Sequence, residues 1–331
     1  MTTRRELLGG MTAAVMVAGG WPAAMARGSQ AGTLRVASLK FGSLAWLLQT
    51  IKAEGLDASA GLKLEIVDVA TNHAGPVALL AGEVDVIVSD WTWAMRQRGL
   101  GEALTFAPYS SALGAVMVGK DGAITSLEGL AGKRIGVAGS AIDKSWLLLR
   151  AYSRTKLGKD IADLATPVFG AAPLLTEEMR NGRLDAVLNF WTFAARLQGD
   201  GFRTLLTVDD MMRELGISPA PPLVGFIWRE ETGVRKAREI EAFLQAVSAG
   251  NAVLAKSDEA WERIRSLVKP SSDAELAAIK AAYRGGIPRG WGEAETRSAE
   301  KLMALLVQSG GKELVGPETR FDAKLFHVSG N

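Results

Sequence analysis

The chain has 331 residues, 48% of them hydrophobic and 22% charged, with a formal net charge of +2. Such a composition excludes a disordered chain, and the length suits two domains of ordinary size. Lys and Arg are scattered among the acids, which argues against a nucleic-acid surface, and no apolar run reaches the about 18 residues that a membrane span needs. There is no cysteine, so disulfides, thiol catalysis and Cys-based metal sites are ruled out.

In chain order, Thr3-Arg4-Arg5-Glu6-Leu7-Leu8 is similar to a twin-arginine export signal. A Gly- and Ala-rich apolar stretch follows to Gly20, and Ala24-Met25-Ala26 is an A-x-A cleavage site. Residues 1–26 therefore read as a signal peptide, cleaved near Ala26 to leave a soluble periplasmic protein. Thr33 to Ser38 reads as a strand, Lys40 to Ser43 as a turn, and Leu44 to Glu54 as an amphipathic helix. A strand at Leu62–Val67, a short helix at Pro76–Ala81 and a nearly all-apolar strand at Val84–Val88 follow. The plan then repeats. Ser126 to Val137 reads as a short helix, a Gly turn and a strand; a helix covers about Asp143 to Leu157. Pro167–Phe169 is a short strand, Thr176–Asn181 a helix whose Thr-Glu-Glu start reads as solvated, and Leu184–Leu188 a strand. After the Pro-rich turn at 219–222 comes a strand at Val224–Trp228, and then mostly helix to about Gln308.

One unit occurs twice. Ala81 to Arg96 matches Asn181 to Arg196 at Gly, Asp, Trp, Thr, Ala and Arg in the same register, with a second aromatic at Trp93 and Phe193. Roughly one identity is expected over such a window from average composition. A unit used twice suggests two similar lobes. In open α/β sheets ligands sit beyond the carboxyl ends of the strands, so the polar and aromatic residues at strand ends are the candidates. Asp85 and Asp185, at the strand starts, read as architectural.

Three stretches resemble the periplasmic solute-binding proteins of ABC importers, in the nitrate/sulfonate/taurine branch that also holds thiamine-precursor binders. Leu80 to Asp85 is similar to that family's Gly-x-x-Asp strand start, and Met179 to Ala186 to its counterpart in the second lobe. Leu127-Glu128-Gly129-Leu130-Ala131-Gly132-Lys133-Arg134-Ile135-Gly136-Val137 resembles its L-x-x-L-x-G-K-x-[IV]-[GA]-V motif. The resemblance covers most of residues 33–310. It implies an α/β, type II periplasmic-binding-protein fold: two lobes, each a doubly wound, mainly parallel sheet flanked by helices, with the ligand cleft between them. Lobe 1 is expected at 33–111 and 222–310, lobe 2 at 112–221, and a C-terminal tail at 311–331. It further implies a monomeric binder of a small solute that closes at a hinge and delivers to membrane permease subunits, with no cofactor and no nucleic acid.

The candidate ligand residues in lobe 1 are Lys40, Phe41 and Ser43 in the first turn, Trp46 one turn into the helix, Asn72, and Ser89-Asp90-Trp91 after the third strand. In lobe 2 they are Ser140, Asn189, Phe190 and Trp191, with Phe226 near the return crossing. Helix N–H groups and Ser or Lys side chains suit an anion, whereas Trp faces suit stacking or a cation. Each Trp has a second reading as core, and Ser89 or Asp90 as a helix cap. Lys144 reads equally as a cleft or a solvated residue. Nucleophilic catalysis lacks its base, since the chain has two His, and His327 lies in the tail. Some relatives of this fold are pyrimidine-synthesising enzymes that consume their own His with iron; so few His and an export signal argue against that. No metal site is expected. For the ligand, a sulfonate-, taurine- or nitrate-like oxyanion and a flat aromatic or amine both remain open, because no Arg stands at a strand end to clamp an anion while Asp90 suits an amine.

Overall fold

In the computed structural model, residues 32–40, 42–71, 73–316 and 320–327 are described. Both the proposed signal peptide and its cleavage site lie outside them. The first lobe opens with β1 (Gly32–Leu39), α1 (Ser43–Ala53), the short α2 (Leu56–Ser59) and β2 (Leu62–Val69). It continues with α3 (Ala74–Leu80), β3 (Ile87–Asp90), α4 (Trp91–Gly99) and β4 (Leu104–Ser110). The second lobe holds β5 (Ala115–Val118), β6 (Arg134–Ala138), α5 (Lys144–Leu157), α6 (Ile161–Leu164) and β7 (Thr166–Gly170). Then come α7 (Ala172–Arg180), β8 (Ala186–Asn189), α8 (Trp191–Gly199), β9 (Arg203–Thr207) and α9 (Val208–Glu214). The chain returns as β10 (Val224–Arg229) and ends in α10 (Glu230–Arg235), α11 (Ala237–Lys256), α12 (Asp258–Arg263), α13 (Arg265–Val268), α14 (Asp273–Gly285) and α15 (Glu293–Val315).

Both lobes have the same strand order. In the first, β1 pairs with β2 in parallel, and β10 lies between β3 and β4. Val86, one residue before β3, bridges in parallel to Val36 of β1, so the order runs β2-β1-β3-β10-β4. In the second lobe it is β7-β6-β8-β5-β9. Four strands of each lobe run one way. The fifth, β10 or β5, is antiparallel to both its neighbours because it arrives from the other lobe. The expectation of a doubly wound, mainly parallel sheet therefore holds, with one reversed strand per lobe that sequence did not reveal. The strands β4, β5 and β9 were not foreseen either.

The repeated unit builds matching parts of the two lobes. Gly82 and Gly182 both adopt left-handed backbone, at φ of 75° and 68°, which glycine reaches at little steric cost. Three residues on, the Asp85 carboxylate accepts the Arg35 N–H of β1 at 2.8 Å, and the Asp185 carboxylate accepts the Arg134 N–H of β6 at 2.8 Å. The Asp N–H groups donate back to the same residues' carbonyls, at 2.9 and 3.0 Å. Asp85 thus ties the start of β3 to β1 and Asp185 the start of β8 to β6, and the architectural reading of both is correct. Helices α4 and α8 follow at the same offset.

The apolar content goes mainly into two large buried clusters, with a smaller one under α7 and α8. One of the large clusters holds an aromatic group to which the C-terminal segment contributes. Phe326 stacks on Trp291 with centroids 4.1 Å apart, and meets Trp91 and Phe106 edge-on at 6.0 and 5.8 Å. Phe326 also bridges in parallel to Phe106 of β4, and the His327 N–H donates to the Phe106 carbonyl at 2.7 Å. Residues 320–327, placed in a tail by the sequence, are packed against β4. Thr176, expected at a solvated helix start, is buried in the middle of α7, where its hydroxyl donates to the Ala172 carbonyl at 2.8 Å. The actual first turn of α7 carries Pro173, whose missing N–H costs nothing there.

Candidate functional site

Two neighbouring cavities open where the co-directional strands of both lobes end. The first, of about 190 Å³, is walled by Leu39 at the end of β1, Val69 at the end of β2, Tyr109 and Ser110 at the end of β4, and Gly42 and Ser43 at the start of α1. The second, of about 400 Å³, is lined from lobe 1 by Ser89 and Asp90 and from lobe 2 by Asp143, Lys144, Ser145 and Phe190. Val88, Ala112, Trp191 and Val224 line both, so the two form one cleft. Val224 begins the reversed strand β10, which brings its start to the same edge as the other strands' ends.

Trp191 stands at the centre. It is the first residue of α8 and half-buried. Its ring meets Trp46 at 6.1 Å and 88°, and Tyr283 at 6.3 Å and 60°, both edge-on. Trp46 in turn packs against Trp261. A tryptophan propped from behind by two other rings presents a rigid apolar wall at little entropic cost. In the wall of the smaller cavity the Tyr109 hydroxyl donates to Ser43 Oγ at 2.9 Å. Burial pushes the Tyr109 phenol well above its ordinary range, with the Ser43 contact offsetting part of this, so the group stays a neutral hydrogen-bonding hydroxyl.

The polar end of the cleft is electrostatically organised. Asp90 caps α4, its Oδ1 accepting the Trp93 N–H at 2.9 Å and the Thr92 hydroxyl. Lys144 Nζ, from the opposite lobe, lies 3.3 Å from the same oxygen. Burial raises the Asp90 pKa, but the Lys144 charge and the two hydrogen bonds outweigh it and hold the carboxyl below its usual range. Asp143 caps α5 through the N–H groups of Ser145 and Trp146, at 2.9 and 3.4 Å. There burial outweighs the nearby Lys144 and these hydrogen bonds, and the pKa is raised. Gly114 must be glycine: a Cβ would lie 2.2 Å from the Asn189 carbonyl oxygen.

Of the sequence-predicted residues, Ser43, Ser89, Asp90, Phe190 and Trp191 are brought together in this cleft. Phe41 and Asn72 lie outside the described residues. Four others are corrected by packing. Trp91 is fully buried, edge-on to Phe326, and lines neither cavity. Phe226 is fully buried between Tyr109 and Phe243. Trp46 supports Trp191 from the core. Asn189 is buried and spent on architecture: its amide donates to the Ala172 carbonyl and Thr176 Oγ1, at 3.1 and 3.0 Å, and its oxygen accepts the Phe190 N–H at 2.9 Å. Two more line neither cavity. Ser140 is exposed, and Lys40 is exposed and paired with Asp68 at 3.6 Å, where it lines an adjoining cavity that shares Leu39, Val69 and Thr71 with the smaller one. Tyr109, Ser110 and Asp143 were missed. For Asp143 the signal was present, since Asp143-Lys144-Ser145 is an N-cap pattern ahead of an apolar-periodic helix. Tyr109 was hidden because its strand was not recognised.

The profile of the NMT1/THI5-like family matches residues 50–260, well over half of the chain. The chain belongs to the NMT1/THI5-like family. A sequence comparison with curated proteins finds no match. Among solved structures, the chain is similar to a protein of Bordetella bronchiseptica RB50, with 18% identity and a TM-score of 0.66 over 89% of this chain and 94% of that one. It is similar to the periplasmic aliphatic sulphonate binding protein SsuA of Escherichia coli, at 14% identity and TM-score 0.66, over 88% and 95% of the two chains. It is also similar to the alkanesulfonate-binding protein SsuA of Xanthomonas axonopodis pv. citri bound to MOPS, at 18% and 0.61, over 90% and 98%. At these identities the likeness establishes the fold, and this NMT1/THI5-like chain has the periplasmic-binding-protein architecture.

Proposed function

We propose that this NMT1/THI5-like protein is the exported solute-binding component of an ABC importer, a binder and not a catalyst. The observation that carries this reading is the continuous cleft at the carboxyl ends of both sheets, with Trp191 of lobe 2 reaching a smaller cavity walled mainly by lobe 1 and both lobes lining the larger one. Lobe 1 comprises residues 33–111 and 222–310 and lobe 2 residues 112–221. The crossings near Ser111 and Pro222 act as the hinge. A solute that touches both lobes favours the closed state over the open one, and the permease reads that state. The N-terminal export pattern supports cleavage near Ala26 and a periplasmic mature protein, which on this reading acts as a monomer. No helix among the described residues is long and apolar enough to cross a membrane.

The sulfonate binders among the structural neighbours make small organic sulfonates the first compounds to screen, followed by other oxyanions, pyrimidines and amines. A solute at a hundred times its dissociation constant adds about 2.7 kcal/mol of stability, which thermal unfolding of the mature protein detects. At least one compound of the panel raises the melting temperature in a concentration-dependent way; a panel without any such compound contradicts the solute-binding reading.

A further inference from the structure

The charged pair at the polar end of the cleft joins two lobes, and its partners are not equally free. Asp90 is fixed: it follows β3 directly into α4 and its Oδ1 takes the Thr92 hydroxyl and Trp93 N–H as well as Lys144. Among the described residues these bonds all fall on Oδ1, which leaves Oδ2 for a further donor. Lys144 ends a flexible four-carbon stem, and its ammonium is a compact, movable charge. It sits on Asp90 as a tethered cation in a cavity large enough for another molecule.

The surroundings favour positive charge. The larger cavity is lined by two carboxylates, Asp90 and Asp143, against one ammonium, Lys144, with Phe190 and Trp191 offering aromatic faces. An oxyanion uses the free N–H groups at helix starts, but at α4 and α5 those groups already serve the protein's own carboxylates. The smaller cavity is mainly apolar and about 190 Å³ in volume. An engineered apolar cavity of roughly 150 Å³ holds benzene, so a single six-membered ring fits.

We infer that the cleft takes an organic cation: a ring-sized apolar body beside Trp191 and Tyr109, and an ammonium group that replaces Lys144 on Asp90. Lys144 holds the cation site when no ligand is present and competes with the ligand for it. This inference rests on the cleft being a solute site, and it departs from the sulfonates named for the structural neighbours. The rival sites for an oxyanion are the starts of α1 and α8, where Gly42 and Phe190 provide no side-chain cap.

Three probes with one ring and different charge decide between these: benzylammonium, benzyl alcohol and benzenesulfonate, titrated calorimetrically into the mature protein at neutral pH. Benzylammonium binds at least tenfold more tightly than the other two. Asp90→Asn, which keeps a good helix cap, weakens it at least tenfold, and Lys144→Met tightens it several-fold by removing the competitor. Preference for benzenesulfonate, lost in Lys144→Met and kept in Asp90→Asn, overturns the cation assignment and leaves the solute-binding reading standing. Preference for benzyl alcohol, or binding of none of the three, also overturns the assignment; the solute-binding reading is then judged by the wider panel.

Discussion

The two aspartates of the repeated unit provide a controlled comparison, since they occupy equivalent positions in unequal surroundings. The Asp85 side chain is 2% exposed and accepts from the Arg35 N–H at 2.8 Å, from Arg35 Nε and Nη2 at 3.2 and 3.0 Å, and from Lys236 Nζ at 2.8 Å. The Asp185 side chain is 40% exposed, accepts the Arg134 N–H at 2.8 Å, and has Lys133 only at 3.9 Å. Removing one partner of a buried ion pair costs about 3–5 kcal/mol. Arg35 and Lys236 keep some contact with water, which places Asp85→Ala near the low end, about 3 kcal/mol. Asp185→Ala loses a part-exposed hydrogen bond and a weak surface pair, about 1 kcal/mol in all. Urea unfolding at neutral pH, read as a midpoint shift at constant m-value, should therefore separate the two variants by about 2 kcal/mol. Equal costs would refute the claim that the repeat is shared in geometry but not in energetics. Acid provides a second check. Burial raises the Asp85 pKa, but Arg35 and Lys236 outweigh it and hold the carboxyl below its ordinary value. A depressed folded-state pKa means the stabilisation is present above the unfolded value of about 3.9 and is lost as pH falls below it through the folded value. The gap between wild type and Asp85→Ala should accordingly stay constant down to about pH 4 and shrink below that.

Trp191→Ala should leave the fold intact and weaken solute binding at least tenfold by calorimetry; unchanged affinity would reduce Trp191 to a packing partner of Trp46 and Tyr283. Gly225→Ala should destabilise by about 1–3 kcal/mol or more, because its Cβ would lie 2.3 Å from the Ala107 carbonyl oxygen and from a Phe106 ring carbon; an unaltered melting temperature would contradict the tight β10–β4 pairing. Phe326→Ala should cost about 3–5 kcal/mol, since the ring is buried against Trp291, Trp91 and Phe106. A loss under 1 kcal/mol would mean that residues 320–327 are a dispensable tail.

The parts of this fold written into short-range pattern were legible in the sequence. Gly82 and Asp85, with Gly182 and Asp185, act through a turn and a contact with the neighbouring parallel strand, so their spacing alone marks them. Asp90 was legible because a capping residue at a strand's carboxyl end also faces the cleft. What sequence could not show depends on distant chain. Trp91 and Trp191 are the same residue in the same register, yet only Trp191 lines the cleft. Trp91 turns towards Phe326, contributed by the C-terminal segment, whereas the rings beside Trp191 are Trp46 and Tyr283. Likewise β4 carries Pro108 within it, and β5 is only four residues long and buried throughout, so no alternation marks it. With those strands unrecognised, the reversed strand in each lobe and the cleft position of Tyr109 stayed hidden. Lys144 pairs with a residue 54 positions earlier in the other lobe, a contact that only the folded chain creates.

The central claim is that a solute draws the two lobes together around Trp191. The chain contains no cysteine, so the double variant Val77→Cys/Leu174→Cys accepts spin labels at two chosen sites alone. Val77 on α3 and Leu174 on α7 are well exposed and lie on corresponding helices of the two lobes. Their distance distribution, measured by pulsed electron paramagnetic resonance with and without a stabilising solute from the panel, should shift shorter and narrow on binding. A distribution that stays unchanged while the same solute raises the melting temperature would contradict closure and place the solute outside the cleft.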